Sequence, residues 1–479
     1  VGLSDVQILE YQNNNQYSLA QVYNSGITES IYDIVVCCHN DIKLEKNWGQ
    51  KLLNDFNNNP EFGIIGKAGS CYFPESGIYW ERMKQTMVGQ VWHQPEGQKK
   101  WLSLYSPKVP FIIPVVTIDG LFISFNKNKL KHKFDETIGK FHFYDHSFTI
   151  PNYLDDVKIG VTSSFEITHE SIGQPNQEFW ESKEVFLTKY KNKLPLDLKP
   201  EKVYVPEIIG KNLDKKDKVA IIIPTKGKLD LLFQCLESFY LNCDSNFFDI
   251  FIADTGSSSE ELSSIENTIM SYKNIKLIKY SFYNFAKINN DVVKNYVGKQ
   301  YEYILFCNND IKILNNVIYS MIKVFKDNPK VGTVGCRLHF EDNTIQHDGV
   351  IMFIRDNNQL GVTHKNLSTY YSYSLGLNKN FGNTGGLMMI RRFTFEKCGF
   401  FCEEYDSCFE DVQLNGTTLL LGLDNYCDGN SVAYHYESQT RGKDDVAKNK
   451  EMNDFFKTLL PFLIKNFTKL MNRVPIYKI

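Results

Sequence analysis

The sequence predicts an α/β fold made of two tandem domains, each built on a mostly parallel sheet. Three features point there. An internal repeat runs along the chain at a nearly constant offset. In the more complete copy, β-branched apolar runs of strand length alternate with runs of helical spacing. Polar residues gather just after the strand-like runs, where open α/β sheets bind their ligands.

The repeat is read from identities in register. Asp41-Ile42-Lys43 recurs as Asp310-Ile311-Lys312, and Asn59-Pro60 as Asn328-Pro329. Gly63, Gly66, Phe56 and Cys38 recur as Gly332, Gly335, Phe325 and Cys307, each pair 269 positions apart. On either side the offset becomes 266: Ala20 with Ala286, Asn24 with Asn290, Gly120-Leu121 with Gly386-Leu387, Asp145 with Asp411, His169 with His435. Copy one is therefore placed at 1–194 and copy two at 218–445. The Lys-rich stretch 195–217, with Pro195, Pro200 and Pro206, reads as a linker or extended strap. Copy two carries a strand, a helix and a second strand ahead of the point where Val1 would align.

The elements of copy two follow in order. Lys218 to Pro224 is an apolar, β-branched run, the pattern of a buried parallel strand. Leu229 to Tyr240 has helical spacing at Leu231, Leu232, Cys235, Leu236 and Phe239. Phe248 to Asp254 is a second strand, closed by the turn residues Thr255-Gly256-Ser257-Ser258. Then come a helix from Glu260 to Tyr272, a strand from Ile275 to Tyr280, a helix from Asn284 to Tyr296 and a strand from Tyr303 to Cys307. Such alternation implies right-handed βαβ crossovers.

Composition narrows the function. Of 479 residues, 42% are hydrophobic and 23% charged, with net charge −3, so a nucleic-acid binder relying on basic excess is excluded. Aromatics reach 14%, which suits two cores and sugar-binding faces. The longest mostly apolar stretch, residues 109–118, holds two prolines and is far short of the ~20 residues of a membrane span. No secretory signal is seen, and the first residue is Val1 rather than Met. Eleven cysteines without a CxxC pair read as reduced thiols of a cytoplasmic protein.

Several residues could carry chemistry. Asn308-Asn309-Asp310 follows a strand, so its oxygens sit at the sheet rim, where Mg²⁺ or Mn²⁺ can hold a diphosphate; a plain Asx turn is the other reading. Copy one has His39-Asn40-Asp41 at that place. Asp254 ends a strand and either accepts bonds from a base or ribose, or caps the turn. Glu410-Asp411 opens an amphipathic run, as helix-start carboxylates or as a general base. His435 is a metal ligand or a packed residue, and Arg441 a diphosphate clamp or a surface charge. Gly385-Gly386 let a ligand approach the backbone, or simply turn.

In their order these landmarks resemble glycosyltransferase family 2, the inverting enzymes of GT-A fold. They are Thr225 after Pro224, Asp254, Asn284-Phe285-Ala286-Lys287-Ile288-Asn289-Asn290, Asn308-Asn309-Asp310, Thr344 to Gly349, Gly385-Gly386, Phe409-Glu410-Asp411 and His435-Tyr436-Glu437-Ser438. The resemblance implies two tandem GT-A-like, Rossmann-like domains that move a sugar from a nucleotide-sugar donor to the hydroxyl of a glycan or lipid-linked acceptor, with Mn²⁺ or Mg²⁺ as cofactor. It implies that Thr225, Asp254, Asn290, Asn309, Gly385, Gly386 and Arg441 face the nucleotide sugar. Asp310 is similar to the last residue of the family's D-x-D metal motif, whose first position is Asn308 here, and His435 stands as a second ligand. Asp411, with Glu410 beside it, is similar to the catalytic base.

Copy one resembles the same family from its third strand onward, through Ala20, Asn24, His39-Asn40-Asp41, Asp119-Gly120, Tyr144-Asp145 and His169. The resemblance makes Asp145 its base and Asp41 and His169 its metal residues. Tyr144 replaces Glu410, and the strands for base and ribose are missing, by trimming or by degradation into a domain that does not bind donor. Two transferases building a polysaccharide repeat, or one transferase beside a glycan-binding module, are both expected outcomes. A sugar-phosphate nucleotidyltransferase is the remote alternative, since 224–228 has one Gly where that class needs a Gly-rich loop. The tail 446–479, with Phe455, Phe456, Leu459, Leu460, Phe462, Leu463 and Phe467 among lysines, reads as a docked helix interrupted at Pro461, or as a peripheral membrane contact.

Overall fold

The computed structural model describes all residues except 172, 211–212, 356–358, 372–374, 407, 437–444 and 479. It divides into two units, one centred on Val1–Lys202 and the other taking most of residues 203–479. The division falls inside the stretch read as a linker, and that stretch is not free. Leu196–Asp197 pairs with Tyr72–Phe73 in the first unit. In the second, Tyr204 O accepts from Arg337 and Pro206 O from Asn315.

In the first unit, helix α1 (Leu19–Glu29) starts at Ser18, whose hydroxyl accepts from Gln21 N while the Gln21 side chain accepts from Ser18 N. Strands β1 (Ile34–Cys38), β2 (Ile42–Leu44), β3 (Phe62–Gly66), β4 (Phe122–Asn126), β5 (Lys158–Val161) and β6 (Ile167–His169) follow, with α2 (Tyr144–Leu154) between β4 and β5. The main sheet runs β1-β4-β3-β5 and ends on Ile113–Val115. Only β3 and β5 are parallel in it. Among the described residues β1 pairs on one side alone, and Ile34, Val35 and Val36 are correspondingly half-exposed.

The second unit carries the additional strands. Its ten-stranded sheet includes β7 (Val219–Thr225), β8 (Phe248–Asp254), β9 (Ile275–Lys279), β10 (Tyr303–Cys307), β11 (Ile311–Ile313), β12 (Val331–His339), β13 (Leu387–Arg391) and β14 (Asp424–His435), in the order β9-β8-β7-β10-β13-β12-β14-β11. Strands β9, β8, β7 and β10 are mutually parallel, and β13 turns the sheet antiparallel. The sheets are thus mixed rather than mostly parallel. Parallel neighbours need a crossover helix, and β13 is instead reached through a long excursion of short strands from residue 340 onward.

β7 is buried throughout, as its apolar run predicts, and the period of two sorts its side chains. Val219, Ile221 and Ile223 join Leu232, Leu236 and Phe239 of the helix Leu229–Asn242. Ala220 and Ile222 join Ile288, Val292 and Val293 of α3 (Phe285–Asn295) on the other face. The result is three layers. Helix α4 (Glu410–Leu420) packs beside the tail, whose last helix, α5 (Leu460–Met471), buries Leu463 and Leu470 against Val350, Met352, Phe381, Val412 and Leu419. The tail is therefore the docked helix of the first reading. Pro461 does not end the helical run: a π-helical turn, Asp454–Leu459, leads directly into α5, and Pro461 lies in the first turn of α5 just past it.

Because Leu463 is fully buried and its neighbour Ile464 is 62% exposed, Leu463→Ala is expected to cost about 2–4 kcal/mol. Ile464→Ala is expected to stay within about 0.5 kcal/mol. Urea midpoints of the two variants check this.

Candidate functional site

In the second unit the polar residues meet at the carboxyl ends of β7, β8 and β10. Thr225 lies opposite Asp254 in the β7–β8 register. The buried Asn309 donates from Nδ2 to Thr225 Oγ1 at 3.0 Å, tying the turn after β10 to the end of β7. Asp254 accepts from Gly256 N and Ser257 N and from the Ser257 hydroxyl. Its carboxylate therefore builds the turn, while the strand end that it occupies still opens on the sheet rim.

Asp310 and His435 come together although 125 positions separate them, because β11 pairs with the end of β14 and sets Ile311 opposite His435. His435 Nε2 is 3.2 Å from Asp310 Oδ1. The His435 ring is oriented by a residue that sequence reasoning named only in passing: Nδ1 is 2.7 Å from Gln346 Oε1. That acceptor requires the proton on Nδ1, which leaves the Nε2 lone pair facing Asp310 and Asn308. Asp310 Oδ1 is buried and has no hydrogen-bond partner. A buried carboxylate oxygen left open beside an imidazole lone pair fits a cation.

Asp411 lies in the first turn of α4. Its Oδ2 accepts from Gly385 N at 2.6 Å and its Oδ1 from Val412 N at 2.7 Å. Phe409, just before the helix, has φ +76°, a left-handed conformation that costs a non-glycine residue of order 1–3 kcal/mol. That strained entry sets where the carboxylate points. The two glycines lie against the site: a Cβ on Gly385 would stand 3.3 Å from the Phe285 ring and 3.5 Å from Asp411 Cβ, and one on Gly386 3.4 Å from His435 Cε1. Glu410 is buried beside Asp411.

The first unit repeats this construction. Asp145 Oδ2 accepts from Gly120 N at 2.9 Å and Oδ1 from His146 N at 2.8 Å, and Phe143 has φ +60°. The structure also corrects one step of the repeat. Cys38 faces Phe122 and Cys307 faces Leu387, so Gly120 corresponds to Gly385, not Gly386. A one-residue shift there leaves the sequence identities almost intact, which is why the pattern alone misplaces it.

The metal end differs between units. His39, Asp41 and His169 bring one ligand atom each within 4.8 Å of one another. His169 Nε2 is 3.3 Å from Asp41 Oδ2, and His39 Nδ1 is 3.8 Å from Asp41 Oδ1. Asp41 Oδ1, like Asp310 Oδ1, is buried without a hydrogen-bond partner. Burial disfavours the Asp41 charge, yet the Ser171 hydroxyl, His169 and His39 together hold its carboxyl below the ordinary range. His39 is the member of this cluster that the sequence reading left out; its signal was its place at the first position of the D-x-D-like turn. Tyr144, standing where Glu410 stands, puts its hydroxyl 2.8 Å from His39 Nε2. A cleft of about 540 Å³ adjoins these groups, with Tyr79, Trp80, Phe143, Phe179, Asp119 and Asp145 in its wall.

Two expectations end elsewhere. Asn290 does not face the rim: its amide donates to Phe401 O and Glu403 and accepts from Phe401 N, so it clamps the loop after the helix Arg392–Lys397. Arg441, with Glu437 and Ser438, lies outside the described residues.

Comparison with known proteins bears on both units. Residues 4–190 match a glycosyltransferase like family and residues 220–399 match glycosyl transferase family 2. The O-antigen biosynthesis protein RfbC of Myxococcus xanthus is 27% identical over 232 residues, a match covering 48% of this chain and 18% of that protein. An uncharacterised protein of Sinorhizobium fredii is 26% identical over 237 residues, covering 48% of this chain and 26% of its own. The match therefore spans about a quarter or less of either relative. A structure of GalNAc-T7 with UDP, GalNAc and Mn²⁺ has a TM-score of 0.39 at 10% identity, covering 54% of this chain and 58% of that one. The mannosyltransferase PcManGT of Pyrobaculum calidifontis, in complex with GDP-Man and Mn²⁺, has a TM-score of 0.34 at 12% identity, covering 52% and 75%.

The buried Asn415 donates to Asp411 O and Asn383 O and accepts from the Thr333 hydroxyl, joining α4 to β12 and to the loop that holds Gly385. Asn415→Ala is expected to destabilise the second unit by about 2–4 kcal/mol, from orphaned buried groups. The loss appears as a lowered urea midpoint.

Proposed function

Two glycosyltransferase family 2 domains in tandem make up this chain, and from that premise we propose an inverting transfer of a sugar from a nucleotide-sugar donor to an acceptor hydroxyl. The observation that carries the reading is the fastened carboxylate, Asp411 in one unit and Asp145 in the other. Backbone N–H groups bind one side of each oxygen and fix the direction of the carboxylate. Such a carboxylate is suited to take the proton of the acceptor hydroxyl as that oxygen attacks the anomeric carbon from the face opposite the leaving nucleoside diphosphate.

Asp310 and His435 would hold a divalent cation, and so would His39, Asp41 and His169. Mn²⁺ or Mg²⁺ bound there supplies charge neutralisation for the departing diphosphate. The nitrogen-rich triad of the first unit suits Mn²⁺ better than Mg²⁺. Thr225 and Asn309, at the ends of adjacent parallel strands, are placed for the nucleotide, with Asp254 shaping the turn beside them.

In the first unit the cleft is walled by aromatic rings with Asp119 and Asp145 among them, a lining suited to a sugar. The aromatic wall of that cleft, Tyr79, Trp80, Phe143 and Phe179, supports a second reading as a metal-dependent glycan-binding module. The acceptor is a glycan or a lipid-linked glycan on the cytoplasmic side, in bacterial polysaccharide synthesis.

Asp411→Asn is expected to lower transfer on the order of 10²- to 10⁴-fold while donor binding, read by calorimetry, is retained; near-normal transfer would remove Asp411 from the role. In parallel, Asp41→Ala and Asp310→Ala are expected to abolish different product bands if both units transfer sugar. If Asp41→Ala leaves every product unchanged but Mn²⁺ binding drops by one site, the first unit binds without catalysing.

A further inference from the structure

The outward face of the tail is not accounted for by docking. Phe456, Ile464 and Met471 are 52%, 62% and 49% exposed, and Met452 is 57% exposed. They stand four, eight and seven residues apart, and the wider π-helical turn at Asp454–Leu459 takes up the extra residue of the eight-residue step, so they form one ridge along the helical tail. Leu459, Leu463 and Leu470 lie on the side turned to the protein. On the other side of the ridge run Lys457 and Lys465, with Lys469 one turn further on, all exposed. Scattered exposed apolar residues need no explanation; a row of large ones in register, bordered by cations, does.

We propose that this ridge lies in the surface of an anionic phospholipid bilayer, with Phe456, Ile464 and Met471 entering the headgroup–acyl boundary and the three lysines meeting lipid phosphates. The arrangement is that of an interfacial amphipathic helix, not a spanning one, and no described helix is long and apolar enough to cross a membrane. Charge complementarity selects a bilayer over an apolar protein groove: the lysines flank the ridge on its solvent side, where a phospholipid surface presents negative charge along the whole helix. The inference rests on the tail alone and holds whether or not either domain transfers sugar.

Flotation of the full chain with vesicles tests it. The protein is expected to float with phosphatidylcholine vesicles containing phosphatidylglycerol, to stay down with pure phosphatidylcholine, and to be released as salt is raised from about 0.1 to 0.5 M. Phe456→Ser, Ile464→Ser and Met471→Ser combined, and separately Lys457→Gln, Lys465→Gln and Lys469→Gln combined, are each expected to lower bound protein on the order of tenfold. Both sets are surface changes, and an unchanged urea midpoint shows the fold kept. The proposal is overturned if the unmodified chain does not float with anionic vesicles or if the serine variant floats unchanged. It is equally overturned if that variant loses only self-association, measured by sedimentation, because the ridge is then an interface between copies.

Discussion

A carboxylate in the first turn of a helix, fastened to a glycine N–H on the neighbouring loop, is the constraint on which the rest of each site depends. In the second unit it is Asp411 on Gly385, and nearly every buried polar group nearby serves to hold those two partners. Asn415 ties the helix to the loop, Asn383 ties the loop to Thr333 and to Tyr426 O, and Asn425 ties Thr333 to Thr418 of the same helix. The tail joins this set. Its buried Asp454 accepts from Asp406 N and Cys408 N, fixing the segment that leads into the strained Phe409. Strain at a residue beside the chemistry persists only where the surroundings overdetermine it.

The two units keep that constraint and diverge around it in a linked way. Where the second has Asn308 and Glu410, the first has His39 and Tyr144, and the two replacements touch through the Tyr144 hydroxyl. The unit that gains an imidazole beside Asp41 also exchanges a carboxylate for a phenol. Thr384, whose hydroxyl accepts from Gly386 N, is matched by Asp119, which accepts from Leu121 N and from the Tyr79 hydroxyl. The first unit thus builds its cleft from aromatic walls and added carboxylate, and the second from the strands β7, β8 and β9. Each compensates differently for what its sheet provides.

The tail links the site to a surface. Its inner face completes the packing behind α4, and its outer face carries the ridge and the lysines. A helix that must bury leucines on one side cannot turn its second apolar stripe inward, so Phe456, Ile464 and Met471 stay in solvent for a geometric reason and not for want of space in the core.

Much of this was legible in the residue order. The repeat located both copies of the aspartate turn, the helix-start aspartate and the histidine, because identities at fixed spacing survive without coordinates. Strands β7, β8 and β10 were legible from β-branched apolar runs, since burial on both faces demands them. The mixed direction of the sheets was not, because strand direction depends on how a chain of short strands returns to the sheet and not on any local pattern. Nor was the π-helical turn ahead of Pro461, since the hydrogen-bond register along a helix is settled by its packing and not by a local pattern. The shift that pairs Gly120 with Gly385 was hidden because adjacent glycines are interchangeable in sequence, and only a hydrogen bond to a carboxylate distinguishes them. Composition and order determined the kind of residues that this protein brings to its sites. Tertiary structure decided their company, His39 with Tyr144, His435 with Gln346 and Asn290 with Phe401, since contacts 89 to 111 residues apart in the chain are set by strand pairing and packing and leave no trace in local spacing.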